Sequence, residues 1–163
     1  MNMNNNKKFK RFFLASILLI PIMSFTTFAD QIIIPVGTNK SVKGPEEYFT
    51  GDAQIDMLYN PTKETPVSAG YVTFEPGART NWHIHQKGQQ LIVTSGVGLT
   101  QEWGGKIQEI RSGDVVICPP NVKHWHGAAP ETAMTHLAVT SYDEKGNGVE
   151  WMEKVTDKQY SEK

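Results

Sequence analysis

The sequence predicts an all-β fold, a sandwich or small barrel, on three observations. From Val67 onward, short runs rich in strand-forming residues alternate with turn residues at regular intervals, the pattern that antiparallel all-β domains leave in a chain. Helical periodicity is nearly absent. Once an export segment at the start is set aside, about 134 residues remain, enough for a single domain with a real core.

Residues 1–29 read as a secretory signal peptide. Lys7, Lys8, Lys10 and Arg11 form a basic start, Phe12 to Ile22 an apolar run, and Thr27-Phe28-Ala29 a small-residue cleavage site before Asp30. An uncleaved anchor is the alternative, but Ser16, Pro21, Ser24, Thr26 and Thr27 dilute the apolar stretch below a good membrane span. No cysteine follows the cleavage site and Lys10-Arg11 is no twin-arginine signal, so Sec-type export to the periplasm or the medium is expected. The mature chain, 30–163, keeps 12 Lys+Arg against 17 Asp+Glu, a net charge of −5. That balance gives no support for a nucleic-acid partner or an anionic membrane surface. The single cysteine, Cys118, excludes an internal disulfide despite the export and reads as a buried hydrophobe.

Taken in order, Ile32-Ile33-Ile34 and Ile55 to Tyr59 read as short peripheral strands, separated by a connection broken at Gly44-Pro45. Strand-like runs follow at 70–74, 80–85, 90–94, 97–103, 106–110, 115–118, 124–127 and 135–140. Between them stand Pro76-Gly77, Lys87-Gly88, Ser95-Gly96, Gly104-Gly105, Ser112-Gly113 and Pro119-Pro120-Asn121. Near the end, Thr156-Asp157-Lys158-Gln159 has the form of a capping box and predicts one short helical turn.

The chemistry lies in the histidines. Alternate side chains of a strand share a face, so His83 and His85 point together while Ile84 points away. Two imidazoles aimed at one point are metal-ligand geometry, and Gln89, just past the tight connection Gln86-Lys87-Gly88, can bring an oxygen to the same point. A second pair, His124 and His126, flanks Trp125, and His136 sits on a further strand, so all five histidines fall in three β-like segments. Arg79 and Asn81 share the parity of His83 and His85 if the strand is regular; a salt bridge is the equal alternative for Arg79. Trp82 and Trp125 have the opposite parity and belong to an outer-face core or interface.

These residues resemble the cupins. The first cupin motif, Gly, five residues, His-x-His, three or four residues, Glu, six residues, Gly, is matched by Gly77, His83, His85, Gln89 and Gly96, with Gln in place of Glu. The second, Gly, five residues, Pro-x-Gly, two residues, His, three residues, Asn, is matched by Gly113, Pro119 and His124, with Asn121 for its Gly and Ala128 for its Asn. The match spans about fifty residues. It implies a single cupin barrel (double-stranded β-helix or jelly roll) with a core at about 67–142. It also implies metal ligands His83, His85, Gln89 and His124. The segments Glu75 to Thr80, Lys123 to Pro130, Thr132 to His136 and Trp151 to Asp157 are similar to the small bacterial cupins that include manganese-dependent hydroxynitrile lyases. In that group a Gln ligand is expected, and histidines matching His126 and His136 are implicated at the active site. A glutamine four residues beyond the second of these lines the lyase pocket, where this chain has Thr140. That departure bears on the substrate more than on the metal.

Three neutral imidazoles and a neutral amide leave a divalent ion its full +2 charge, which favours Lewis-acid work. Four protein ligands leave two open positions on octahedral Mn, Fe, Co or Ni and nearly close tetrahedral Zn. The resemblance favours Mn. The expected activity is a metal-dependent lyase acting on cyanohydrin-like or other α-substituted small molecules, with His126 and His136 as proton carriers and Arg79 as a further catalytic candidate. A cupin dioxygenase or other redox enzyme, and a non-catalytic periplasmic protein that binds a metal or small ligand, are the alternatives. By analogy with small cupins, a homo-oligomer, dimer or tetramer, is expected.

Overall fold

The computed structural model describes residues 30–162. The expected signal peptide, 1–29, lies outside the described residues. From Ile33 onward the chain forms one compact unit. Its elements are β1 (Val42–Lys43), β2 (Phe49–Thr50), β3 (Ala53–Tyr59), β4 (Val67–Phe74), β5 (Arg79–Thr80), β6 (His83–Ile84) and β7 (Gln89–Glu102). After these come β8 (Gln108–Arg111), β9 (Val115–Cys118), β10 (His124–Ala128), β11 (Met134–Ser141), β12 (Glu150–Trp151) and α1 (Asp157–Ser161). Every strand pairing is antiparallel.

The strands follow the order β1-β3-β4-β11-β7-β10-β5-β2, a sheet curled on itself, with β6 and β12 extending from β10 and β8 and β9 from β7. The hinge of the curl is β7. Residues 89–96 pair with β11 and 89–92 with β9, whereas 97–102 pair with β8 and β10. Sequence reasoning placed a turn at Ser95-Gly96; instead the strand runs through, bends, and passes from one side of the fold to the other. Gly96 permits this with φ +77°, and a Cβ there would stand 1.9 Å from the Ala133 carbonyl oxygen.

Inside the curl, Phe49, Phe74, Val93, Ile110 and Met134 form the main core. A second cluster of Trp82, Trp125 and Val155, joined by Leu99 and Tyr160, lies under the C-terminal segment. The two tryptophans are therefore core residues on the far side of the histidine-bearing strands. The capping box is present as expected: the Thr156 side chain accepts from the Gln159 backbone N–H and Gln159 reaches back to the Thr156 N–H. The Ile32-Ile33-Ile34 strand is not formed. Those three residues are exposed and join no ladder, so their backbone groups are left to water. The expected run at 80–85 is broken into β5 and β6, and three short strands, β1, β2 and β12, arise where two-residue pairings leave too little pattern to read. Among the described residues no helix is long and apolar enough to cross a membrane.

Candidate metal centre

β6 lies between β10 and β12, and its first residue faces a partner on each side: His83 pairs with His124 and with Trp151. This places the two histidine motifs side by side. The Pro119-Pro120-Asn121 turn ties them further, because the Asn121 N–H donates to the His85 carbonyl at 2.8 Å. Asn121 stands where the cupin motif has Gly and adopts φ 62°, a left-handed conformation that Asn tolerates better than most residues.

Each of the three histidines presents the same ring nitrogen inward. The Nδ1 of His83 bonds the Asn81 carbonyl at 2.9 Å, that of His124 the Val122 carbonyl at 2.9 Å, and that of His85 the Gly148 carbonyl at 2.6 Å. A carbonyl only accepts, so each Nδ1 carries the proton and each Nε2 keeps its lone pair. The ligating atoms of His83, His85 and His124 lie within 4.8 Å of one another. Gln89 opens β7, and its amide Nε2 donates to Thr140 Oγ1 at 3.1 Å. The amide oxygen remains. His85 Nε2, His124 Nε2 and Gln89 Oε1 are all buried with no hydrogen-bond partner. Orphaned, buried acceptors in and beside a three-histidine cluster form a donor set that a divalent cation satisfies. The three histidines therefore fit the expected ion, and Gln89, with its amide oxygen buried and unpartnered, is the candidate fourth ligand.

Burial controls the charge state. Loss of hydration pushes all five histidines below their usual range, His85 and His136 to about 4, and His83 and His126 well below it. Neighbouring imidazoles push His83 and His126 further in the same direction. All are neutral at pH 7, the form that ligates metal and accepts protons.

Next to the donor set lies a cavity of about 190 Å³. His83, His85, Gln89, His126, His136 and Thr140 supply its polar wall, and Phe49, Ile55, Val72, Phe74 and Trp151 much of its apolar wall. His126 and His136 form a buried pair, His126 Nδ1 to His136 Nε2, at 3.2 Å. The outer nitrogens, His126 Nε2 and His136 Nδ1, have no partner.

Arg79 does not reach this cavity. Its guanidinium donates to the Val155 carbonyl at 3.0 and 3.3 Å and to the Asp157 carboxylate at 2.6 Å, and lies 4.6 Å from the Tyr160 ring centroid. Of its two expected roles it takes the ion pair. Asn81 is also turned away, toward the Glu47 and Met152 carbonyls. Parity does not carry from Arg79 to His83 because the strand is interrupted between β5 and β6: the Asn81 N–H bonds the Tyr48 carbonyl and the Trp82 N–H the Glu153 carbonyl. Thr80 lines the cavity in their place. Two contributors had no readable signal: the Gly148 carbonyl, 63 residues from the histidine it holds, and Tyr48, stacked at 4.8 Å on the Trp151 that packs against His83.

Comparison with known proteins agrees with this architecture. The Cupin domain family matches residues 70–140. A protein of Granulicella tundricola named (R)-mandelonitrile lyase is 54% identical over 125 residues, covering 77% of this chain and 95% of that protein. A cupin-like protein from Thermotoga maritima, of known crystal structure, is 44% identical with a TM-score of 0.66, over 72% of this chain and 89% of the other. A cupin-2 domain protein from Rhodospirillum rubrum, at 18% identity and a TM-score of 0.59 over 83% of this chain and 86% of its own, shares the fold. The chain belongs to the cupin family, as a small member resembling the hydroxynitrile lyase-like cupins.

Proposed function

We propose that this cupin is a metal-dependent lyase that splits cyanohydrin-like or other α-substituted alcohols into a carbonyl compound and a stabilised anion. The observation that carries the reading is the set of neutral, buried donors, His83, His85, His124 and Gln89, at the wall of a cavity that also holds a histidine pair. The 54% identity to a protein named (R)-mandelonitrile lyase supports the same chemistry. A divalent ion at these four residues, Mn on the family resemblance and Fe, Co, Ni or Zn as the other candidates, supplies a Lewis acid of undiminished +2 charge that acidifies a hydroxyl and polarises a carbonyl.

The chain's own residues do the rest. With the His126 Nδ1–H donating to His136 Nε2, the lone pair at His126 Nε2 is free to take a proton from a substrate hydroxyl, and His136 stabilises the imidazolium that forms. The C–C bond to the nitrile carbon breaks, its electron pair leaves on cyanide, and the oxygen becomes the carbonyl of an aldehyde. Return of the proton to cyanide gives HCN and restores neutral His126. Phe49, Val72, Phe74 and Trp151 exclude water and receive the apolar substituent. Because Gln89 brings no negative charge, oxidation of a bound ion is less favoured than with the usual Glu, which weighs toward lyase over oxygenase chemistry. The signal-like start supports a periplasmic or secreted location, and analogy with small cupins supports a homo-oligomer that acts on a small molecule.

The test is cyanide release from mandelonitrile by Mn²⁺-loaded protein. Wild type is expected to turn over and His83→Ala to lose activity; saturable ligand binding without turnover would favour the non-catalytic alternative, and substrate-dependent oxygen uptake the oxygenase.

A further inference from the structure

We infer that Thr140 is a positioning residue for the metal centre: it anchors the Gln89 side-chain amide by its NH₂ end and so leaves the amide oxygen available to the cation. This rests on the metal site proposed above and adds to it a residue outside the donor set.

Gln89 and Thr140 are direct cross-strand partners of β7 and β11, both pointing inward and 6% and 9% exposed. Cross-strand neighbours on one face meet at short range, and here the contact is a hydrogen bond of 3.1 Å from the amide Nε2 to Thr140 Oγ1. An amide has two ends of nearly equal size and opposite polarity. Turned by half a rotation, it would direct N–H groups at the imidazole lone pairs and offer no ligand to a cation. Thr140 Oγ1 accepts from the NH₂ end, which ties the amide to β11 and leaves Oε1 buried and free of any other bond. Beyond Thr140 the row continues to Ser68, its partner on β4, which is 5% exposed and bonded to the Tyr142 hydroxyl at 3.4 Å. The Gln–Thr contact is thus enclosed on the side away from the histidines. Outer partners of this kind orient metal ligands, and their loss commonly lowers metal affinity about 10- to 100-fold.

Valine matches threonine in shape but has no acceptor. The experiment is calorimetric Mn²⁺ titration of metal-depleted protein in a double-mutant cycle. Thr140→Val is expected to raise the Mn²⁺ Kd about tenfold or more, and Thr140→Ser to stay near wild type. In a Gln89→Ala background, Thr140→Val is expected to change the Kd little, because the residue through which it acts is gone. Should the valine variant not fold, Thr140→Ala takes its place in the cycle. An unchanged Kd for Thr140→Val, or an equal loss with and without Gln89, overturns the inference and leaves the lyase reading standing. A wild-type protein that binds no divalent ion overturns both.

Discussion

His83, His85 and His124 each commit Nδ1 to a backbone carbonyl, so tautomer and ring direction are set before any ligand arrives. Their neutrality comes from burial, and it has a cost in acid. His136, held down to about 4 by loss of hydration, would titrate near 6.5 in the unfolded chain. As pH falls below that value the unfolded state takes up protons first, so stability drops down through pH 4 and is fully present above the unfolded pKa. The other four histidines are shifted the same way. Metal-depleted protein is therefore expected to melt at a lower temperature at pH 5 than at pH 7.5; an unchanged Tm would contradict the account. Much of this centre was legible in the sequence. Strand alternation placed His83 and His85 together, and motif spacing added Gln89 and His124. Arg79 and Asn81 were misplaced because the same alternation was carried across a break at Trp82, where the backbone changes partners.

Among the elements, β7 and α1 show what pattern alone conceals. Ser95-Gly96 has the composition of a hairpin turn, but one continuous strand is favoured there because its two halves find different partners, β11 before the bend and β10 after it. The capping box of α1 was readable from Thr156 and Gln159, whereas the use of the segment was not. Val155 and Tyr160 pack in the Trp82–Trp125 cluster, and together with Asp157 they hold the Arg79 guanidinium. Arg79 thus fastens the C-terminal segment to β5. Arg79→Lys keeps the charge but loses the fork of donors and the flat contact with Tyr160. It is expected to cost about 1–3 kcal/mol of stability while leaving the Mn²⁺ Kd and the turnover of folded protein within about twofold of wild type. Normal melting with lost turnover would return Arg79 to the chemistry.

For the whole molecule, the outer face of the sheet matters. Tyr71, Leu137, Ile92 and Val115 align in one row across β4, β11, β7 and β9, and Val139 and Ile117 lie in the next. Every outward position on these strands is uncharged, in a chain with 20% charged residues. Val115 and Ile117 are 59% and 70% exposed, and the arm before β1 exposes Ile33 and Val36 as well. A face without charge, with apolar residues along two of its rows, would let two copies of a net-negative chain meet without repulsion, and we propose it as the surface through which the homo-oligomer forms. Light scattering is expected to give at least a dimer for wild type and a monomer for Val115→Asp with Ile117→Asp; a monomeric wild type contradicts this. Lyase chemistry at the metal centre is what joins these features. Its most direct test is the rate of cyanide release from mandelonitrile, measured as metal-depleted protein is titrated with Mn²⁺. The rate is expected to climb with bound metal and level off at one ion per chain, and a rate that ignores metal content would contradict the central claim.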